Sequence, residues 1–143
     1  MIYSNLLLSN SNLDVQFFAS LENHDFDSAK EFLRSGANID LKDQYGNTLL
    51  MIAARDNEPE VAKFLIDNDV QINEINSNGS NAIILSARFN NDLISEMLLK
   101  SGANFLHKND QGYSALNFAC INKNFKILFL MFKIHFTKQC NIV

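Results

Sequence analysis

Blocks of apolar positions punctuated by polar turn formers run the length of the chain, and the blocks recur. Leu49 to Ala54 is an apolar run opening directly after Thr48, whose hydroxyl can accept from the unpaired N–H groups at a helix start. The spacing predicts a helix over Leu49 to Arg55, with Gly46 in a turn that needs φ > 0. Asn57 suits the left-handed position after that helix. Pro59 suits the first turn of a second helix, where its missing N–H goes unused. In the second helix Val61, Ala62, Phe64, Leu65 and Ile66 are spaced as one inward face.

The same order of features returns every 33 residues. Gly46 is followed by Gly79 and Gly112, and Thr48 by Asn81 and Ser114, all three able to cap a helix. Leu50 aligns with Ile83 and Leu116, and the small pair Ala53–Ala54 with Ser86–Ala87 and Ala119–Cys120. Leu65–Ile66 aligns with Leu98–Leu99 and Met131–Phe132, and SGAN stands at both Ser35–Asn38 and Ser101–Asn104. Four units of turn, helix, turn, helix and loop fit, at residues 10–42, 43–75, 76–108 and 109–141. Glycine is expected to end the second helix in the first and third units, at Gly36 and Gly102. Asp69 and His135 are weaker stops in the second and fourth.

This combination resembles the ankyrin repeat: the period, a D/N-x-x-G-x-T/S/N turn, an apolar helix with a small pair, a V-x-x-L-L-type helix and a closing GAN. The resemblance implies an all-α solenoid of stacked helix-turn-helix units joined by β-turn or hairpin-like loops, forming one domain over residues 1–143. The first unit is degenerate in its turn half, NSNLDV, as expected of an N-terminal capping repeat, while EFLRSGANIDLK is regular. The family's TPLH reads TLLM, NAII and SALN here, without the proline or the bridging histidine. Stability is therefore expected to lean on apolar packing more than on a hydrogen-bonded belt between turns.

Composition fits a folded chain. With 47% hydrophobic residues in 143 there is enough apolar material for a real core. A net charge of −4 disfavours a general nucleic-acid binder. The charge is polarised: all 16 acidic residues lie at or before Asp110, whereas Lys123, Lys126, Lys133 and Lys138 follow it with no acid. Asparagine is frequent but interspersed with apolar positions, which fits AT-rich codon usage better than a prion-like tract. Two cysteines make no disulfide framework, and Cys120, inside an apolar helix pattern, reads as a buried free thiol. MIYSNLLLSN has neither the basic start nor the apolar length of a signal peptide, and no run is long enough to span a membrane. A cytoplasmic protein is expected, with export to a host cell by a non-Sec route as a further expectation.

Chemistry is sparse. His24, His107 and His135 lie far apart in sequence, without metal-ligand spacing, and no phosphate loop, nucleophile elbow or HExxH is present. The expectation is a non-enzyme with no cofactor. Stacked repeats instead leave an extended concave surface. The resemblance puts contacts at the turn tips: Lys42, Gln44, Tyr45 and Asn47; Ile75, Ser77, Asn78 and Ser80; Lys108, Asp110, Gln111 and Tyr113. It also puts them at first-helix ends: Glu22, Asn23, Arg55, Asp56, Arg88, Phe89, Ile121 and Asn122. Tyr45, Arg55, Arg88, Phe89 and Tyr113 stand out, being of the residue kinds that anchor interfaces.

A second candidate patch is Phe125, Phe129, Phe132 and Phe136 on the C-terminal helix. Phe129 stands where the other units have Lys30, Lys63 and Glu96, so an apolar side chain replaces a solvent-facing charge. Folding back of Thr137–Val143, self-association or partner docking, and an anionic membrane surface are the competing readings. The leading functional expectation is a non-catalytic protein-binding module, host-directed and effector-like. The alternatives are an endogenous regulator or inhibitor of a neighbouring enzyme or toxin, and a metal or haem carrier using His107 or His135 with Cys120 or Cys140.

Overall fold

The structure is a computed structural model and describes residues 11–140, with side chains to Lys138. Among the described residues eight helices follow one another: α1 (Asn12–Glu22), α2 (Phe26–Arg34), α3 (Leu49–Asp56), α4 (Pro59–Asp67), α5 (Ala82–Arg88), α6 (Asp92–Lys100), α7 (Ala115–Ile121) and α8 (Phe125–Cys140). No strand occurs among the described residues beyond an isolated antiparallel bridge between Lys42 and Thr48. The 33-residue register carries into space: α3, α5 and α7 begin at 49, 82 and 115, and α4, α6 and α8 at 59, 92 and 125.

Local chemistry sets the boundaries. The side chains of Thr48, Asn81 and Ser114 accept from the N–H groups of Met51, Ile84 and Asn117, caps worth about 1 kcal/mol each. Each first helix hands over to its partner through a left-handed residue, at His24, Asn57, Asn90 and Lys123. Pro59 opens α4, as its fixed φ favours.

Packing follows side-chain size. Leu49 to Ala54 and Ala82 to Ala87 are buried throughout, and the small residues Ala53, Ala54, Ser86, Ala87 and Ala119 let α3, α5 and α7 pack closely in a row. The second helices α4, α6 and α8 meet less extensively, so the stack is tighter on its first-helix side. Between α1 and α3 the approach is also looser, and there Leu21 occupies the position of Ala54 and Ala87.

Two helix boundaries depart from the 33-residue register. Helix α1 starts at Asn12, where the register of α3 would place residue 16, because Ser11 and Asp14 form a capping box one turn early. Helix α8 does not stop at His135 but runs on to Cys140. His135 carries a Cβ where Gly102 has none, and it does not adopt the left-handed backbone found at Gly102 and Asp69. Residues 137–140 therefore continue the helix rather than fold back over it, and 141–143 lie outside the described residues.

The belt between turns exists, although its usual residues are missing. In each turn one acceptor, Asp43, Asn76 or Asn109, takes two backbone N–H groups, from residues two and four ahead. Backbone bonds then join successive turns, Ser77 N–H to Tyr45 O at 2.9 Å and Asp110 N–H to Asn78 O at 3.1 Å. Asn76 Nδ2 donates to Asn47 Oδ1 at 2.8 Å, and Asn109 Nδ2 to Ser80 Oγ at 3.3 Å. A second set of amides ties each unit to the first helix before it: Asn91, at the start of α6, donates Nδ2–H to Ala54 O, and Asn122, at the end of α7, to Ala87 O, both at 2.8 Å. Codon bias can explain why asparagine is frequent, but not why its amides recur at these joints.

Candidate protein-binding surface

The turn tips and first-helix ends form one row along the stack, but its members are not equivalent. Tyr45, Gln44, Asn78 and Gln111 are exposed at the tips. Asn47 is not; it is 8% exposed, because Asn76 of the following turn covers it and uses its carbonyl oxygen. Ser80 is buried in the same way beneath Asn109. Tyr113, at the same register position, is 43% exposed, with no following turn above it among the described residues. Asn47 therefore belongs to the scaffold and is removed from the contact row.

Several charged members are already engaged. Lys42 Nζ lies 2.6 Å from Glu74 Oε2, joining two units. Arg55 forks onto its neighbour Asp56, Nε to Oδ1 at 2.7 Å and Nη2 to Oδ2 at 2.8 Å. Its guanidinium would have to give up that pair to engage a partner's carboxylate. Asn122 is exposed but spends its amide on the α5 carbonyls.

Arg88 differs. Its guanidinium carbon stands 5.7 Å from the ring centroid of Phe89 and 6.0 Å from that of Phe118. Tyr113 packs on Phe118 with centroids 5.4 Å apart. Among the described residues no carboxylate pairs with Arg88. Three of the five anchor residues singled out in the sequence, Arg88, Phe89 and Tyr113, thus meet through Phe118 in one cluster, whereas Tyr45 and Arg55 belong to the second unit. Phe118 is the member that sequence reasoning missed. It sits in register with Ile52 and Leu85, which read as core, and the only signal was an aromatic ring where the others are aliphatic.

The remaining titratable groups are dispersed. His107 Nε2 donates to Gly79 O at 2.8 Å, which puts the proton on Nε2 and ties the end of the third unit to the turn at its start. His24 Nε2 lies 3.5 Å from Glu58 Oε2. Among the described residues no three His, Cys, Asp or Glu side chains gather where a metal ion could sit. Cys120 is a free thiol and is exposed, a correction to its expected burial. It occupies the position of Ala54 and Ala87, which are buried beneath a following unit. The Cys140 side chain lies outside the described residues. No helix among them is long and apolar enough to cross a membrane.

A model of the ankyrin-repeat family, described as ankyrin repeats in three copies, matches residues 17–109. The chain belongs to the ankyrin-repeat family, in general a non-catalytic, protein-binding fold. No curated protein matches it. The match ends at the start of the fourth unit, whose helices α7 and α8 nevertheless keep the 33-residue register.

Proposed function

We propose that the chain is a recognition module that captures an acidic protein segment on the first-helix side of its third and fourth units. The observation that carries this reading is Arg88, held against Phe89 and Phe118 with no carboxylate partner of its own among the described residues. Two rings flanking a guanidinium restrict its rotamers, so less entropy is lost when a carboxylate docks. Tyr113 and Phe89 add exposed apolar area beside the charge, the pairing of anchor types typical of interface hot spots. Arg55, closed onto Asp56, serves as the internal contrast.

On this reading the chain acts as a host-directed, effector-like interaction protein. The same surface would serve an endogenous regulator or inhibitor of a neighbouring enzyme or toxin, and the two roles differ only in where the partner resides. The test is affinity capture from source-cell and host lysates with Arg88→Ala and Arg55→Ala variants. Arg88→Ala should lose a partner that Arg55→Ala retains; equal recovery by both would sink the assignment.

A further inference from the structure

The α7–α8 face of the fourth unit has the make-up of an interior contact. Ile83, Ala87, Ser95, Leu99 and Ala103 of the third unit are buried, none more than 5% exposed. Their 33-residue equivalents are Leu116, Cys120, Leu128, Phe132 and Phe136, and Phe132 and Phe136 are 60% and 51% exposed. Phe125 and Phe129 extend the stripe at 75% and 71%. With Phe105 and Leu116 they border a groove of about 620 Å³ between the two helices and the loop before α7. Among the described residues nothing packs on it.

We propose that this face seats an amphipathic helix of a partner protein, carrying acidic residues along one edge and lying on α8 as α8 lies on α6. Two observations select this occupant. The first is continuity: Leu116, Cys120, Leu128, Phe132 and Phe136 stand at the buried positions of the third unit, and Phe125 and Phe129 replace Asp92 and Glu96, which bond Asn124 and Lys126 of the fourth. The second is charge. Lys133 lies on the flank of the phenylalanine stripe, and after Asp110 the chain has four lysines and no acid. In the preceding contact an acid and a lysine already face each other across the helices, Glu96 Oε2 and Lys126 Nζ at 2.9 Å. A second copy seated on the same face would bring lysine against lysine. A flat anionic membrane would not fill a concave groove, whereas the side chains of a helix would.

The test uses the full chain and a fluorescent synthetic helix with leucines along one face and glutamates along both flanks. Anisotropy should show saturable binding, weakened about tenfold or more by Phe129→Glu or Phe125→Glu. A charge-swapped peptide with lysine in place of glutamate should bind more weakly. Both phenylalanines are largely exposed, so the variants should keep the helical circular dichroism of the parent. Failure to bind the acidic peptide, or equal affinity for the lysine version, overturns the proposal. So does a dimer mass in light scattering that Phe129→Glu converts to monomer, or sedimentation with phosphatidylserine vesicles that the same variant abolishes. Arg88→Ala should leave peptide binding unchanged, which separates this seat from the Arg88 surface.

Discussion

Asn76 donates its side-chain amide to Asn47 Oδ1 at 2.8 Å, while its own carbonyl oxygen accepts from the N–H groups of Asn78 and Ser80. One side chain thus closes its own turn and ties it to the turn before. Asn76→Ala removes both functions and should destabilise by about 1–3 kcal/mol. Asn76→Asp keeps the two turn bonds and loses only the donor, so its cost should be smaller. Urea unfolding of the two variants measures the difference: equal losses would mean that the two turn bonds contribute nothing, and an Asn76→Asp variant as stable as the parent would mean that the inter-turn bond contributes nothing.

Gly79 and Gly112 are equivalent in sequence but not in surroundings. Both have positive φ, +70° and +81°, so alanine strains the backbone at either site. At Gly79 an added Cβ would also meet Asp110 Oδ1 at 2.5 Å and Asp110 N at 3.1 Å, whereas at Gly112 nothing lies within 4 Å. Gly79→Ala should therefore be the more costly change, by about 1 kcal/mol beyond the strain common to both. A Gly112→Ala variant that unfolds at the lower denaturant concentration would contradict the stacking of the turns.

Much of the fold was legible because its signals are local and repeated three or four times. A cap, a left-handed residue and a small pair each announce themselves at Thr48, Asn57 and Ala53–Ala54, and the register multiplies the signal. What escaped depends on neighbours 30 or more residues away. Asn47 looks like any polar tip residue until Asn76 is placed above it. Cys120 reads as buried because Ala54 and Ala87 are, yet it is exposed. The meeting of Arg88 with Phe118 is likewise a contact between units, invisible in either unit alone. The asparagine belt was missed for a different reason, since the expected link was sought in histidine and proline.

Glu96 provides a pH-dependent prediction. Hydrogen bonds from Lys100 and Lys126, reinforced by their charges, lower its carboxyl pKa from 4.5 to about 2. A carboxyl whose folded pKa is depressed stabilises the fold above its unfolded pKa and loses that contribution as pH falls through the folded one. Between about pH 4.5 and 2 the parent should therefore lose stability more steeply than Glu96→Gln. Added salt should shrink the difference, because the pair is open to solvent. Parallel pH–stability curves for the two proteins would show that the contact between α6 and α8 does not depend on this ion pair.

Ala54 is buried in the row of first helices, where close approach requires a small side chain. Ala54→Leu should overpack it and destabilise by about 1–3 kcal/mol. Thermal melting is the check, and an unmoved melting temperature would contradict the close packing of α3 against α5.

The most direct test of recognition through the aromatic-flanked arginine is a three-way capture with the parent, Arg88→Lys and Arg88→Ala, matched for helical circular dichroism. Lysine keeps the charge but not the planar guanidinium that Arg88 sets beside the rings of Phe89 and Phe118. The account predicts a partner held by the parent, weakened by Arg88→Lys and lost with Arg88→Ala, and held less well as salt rises. Recovery of the same partner by all three proteins would contradict it.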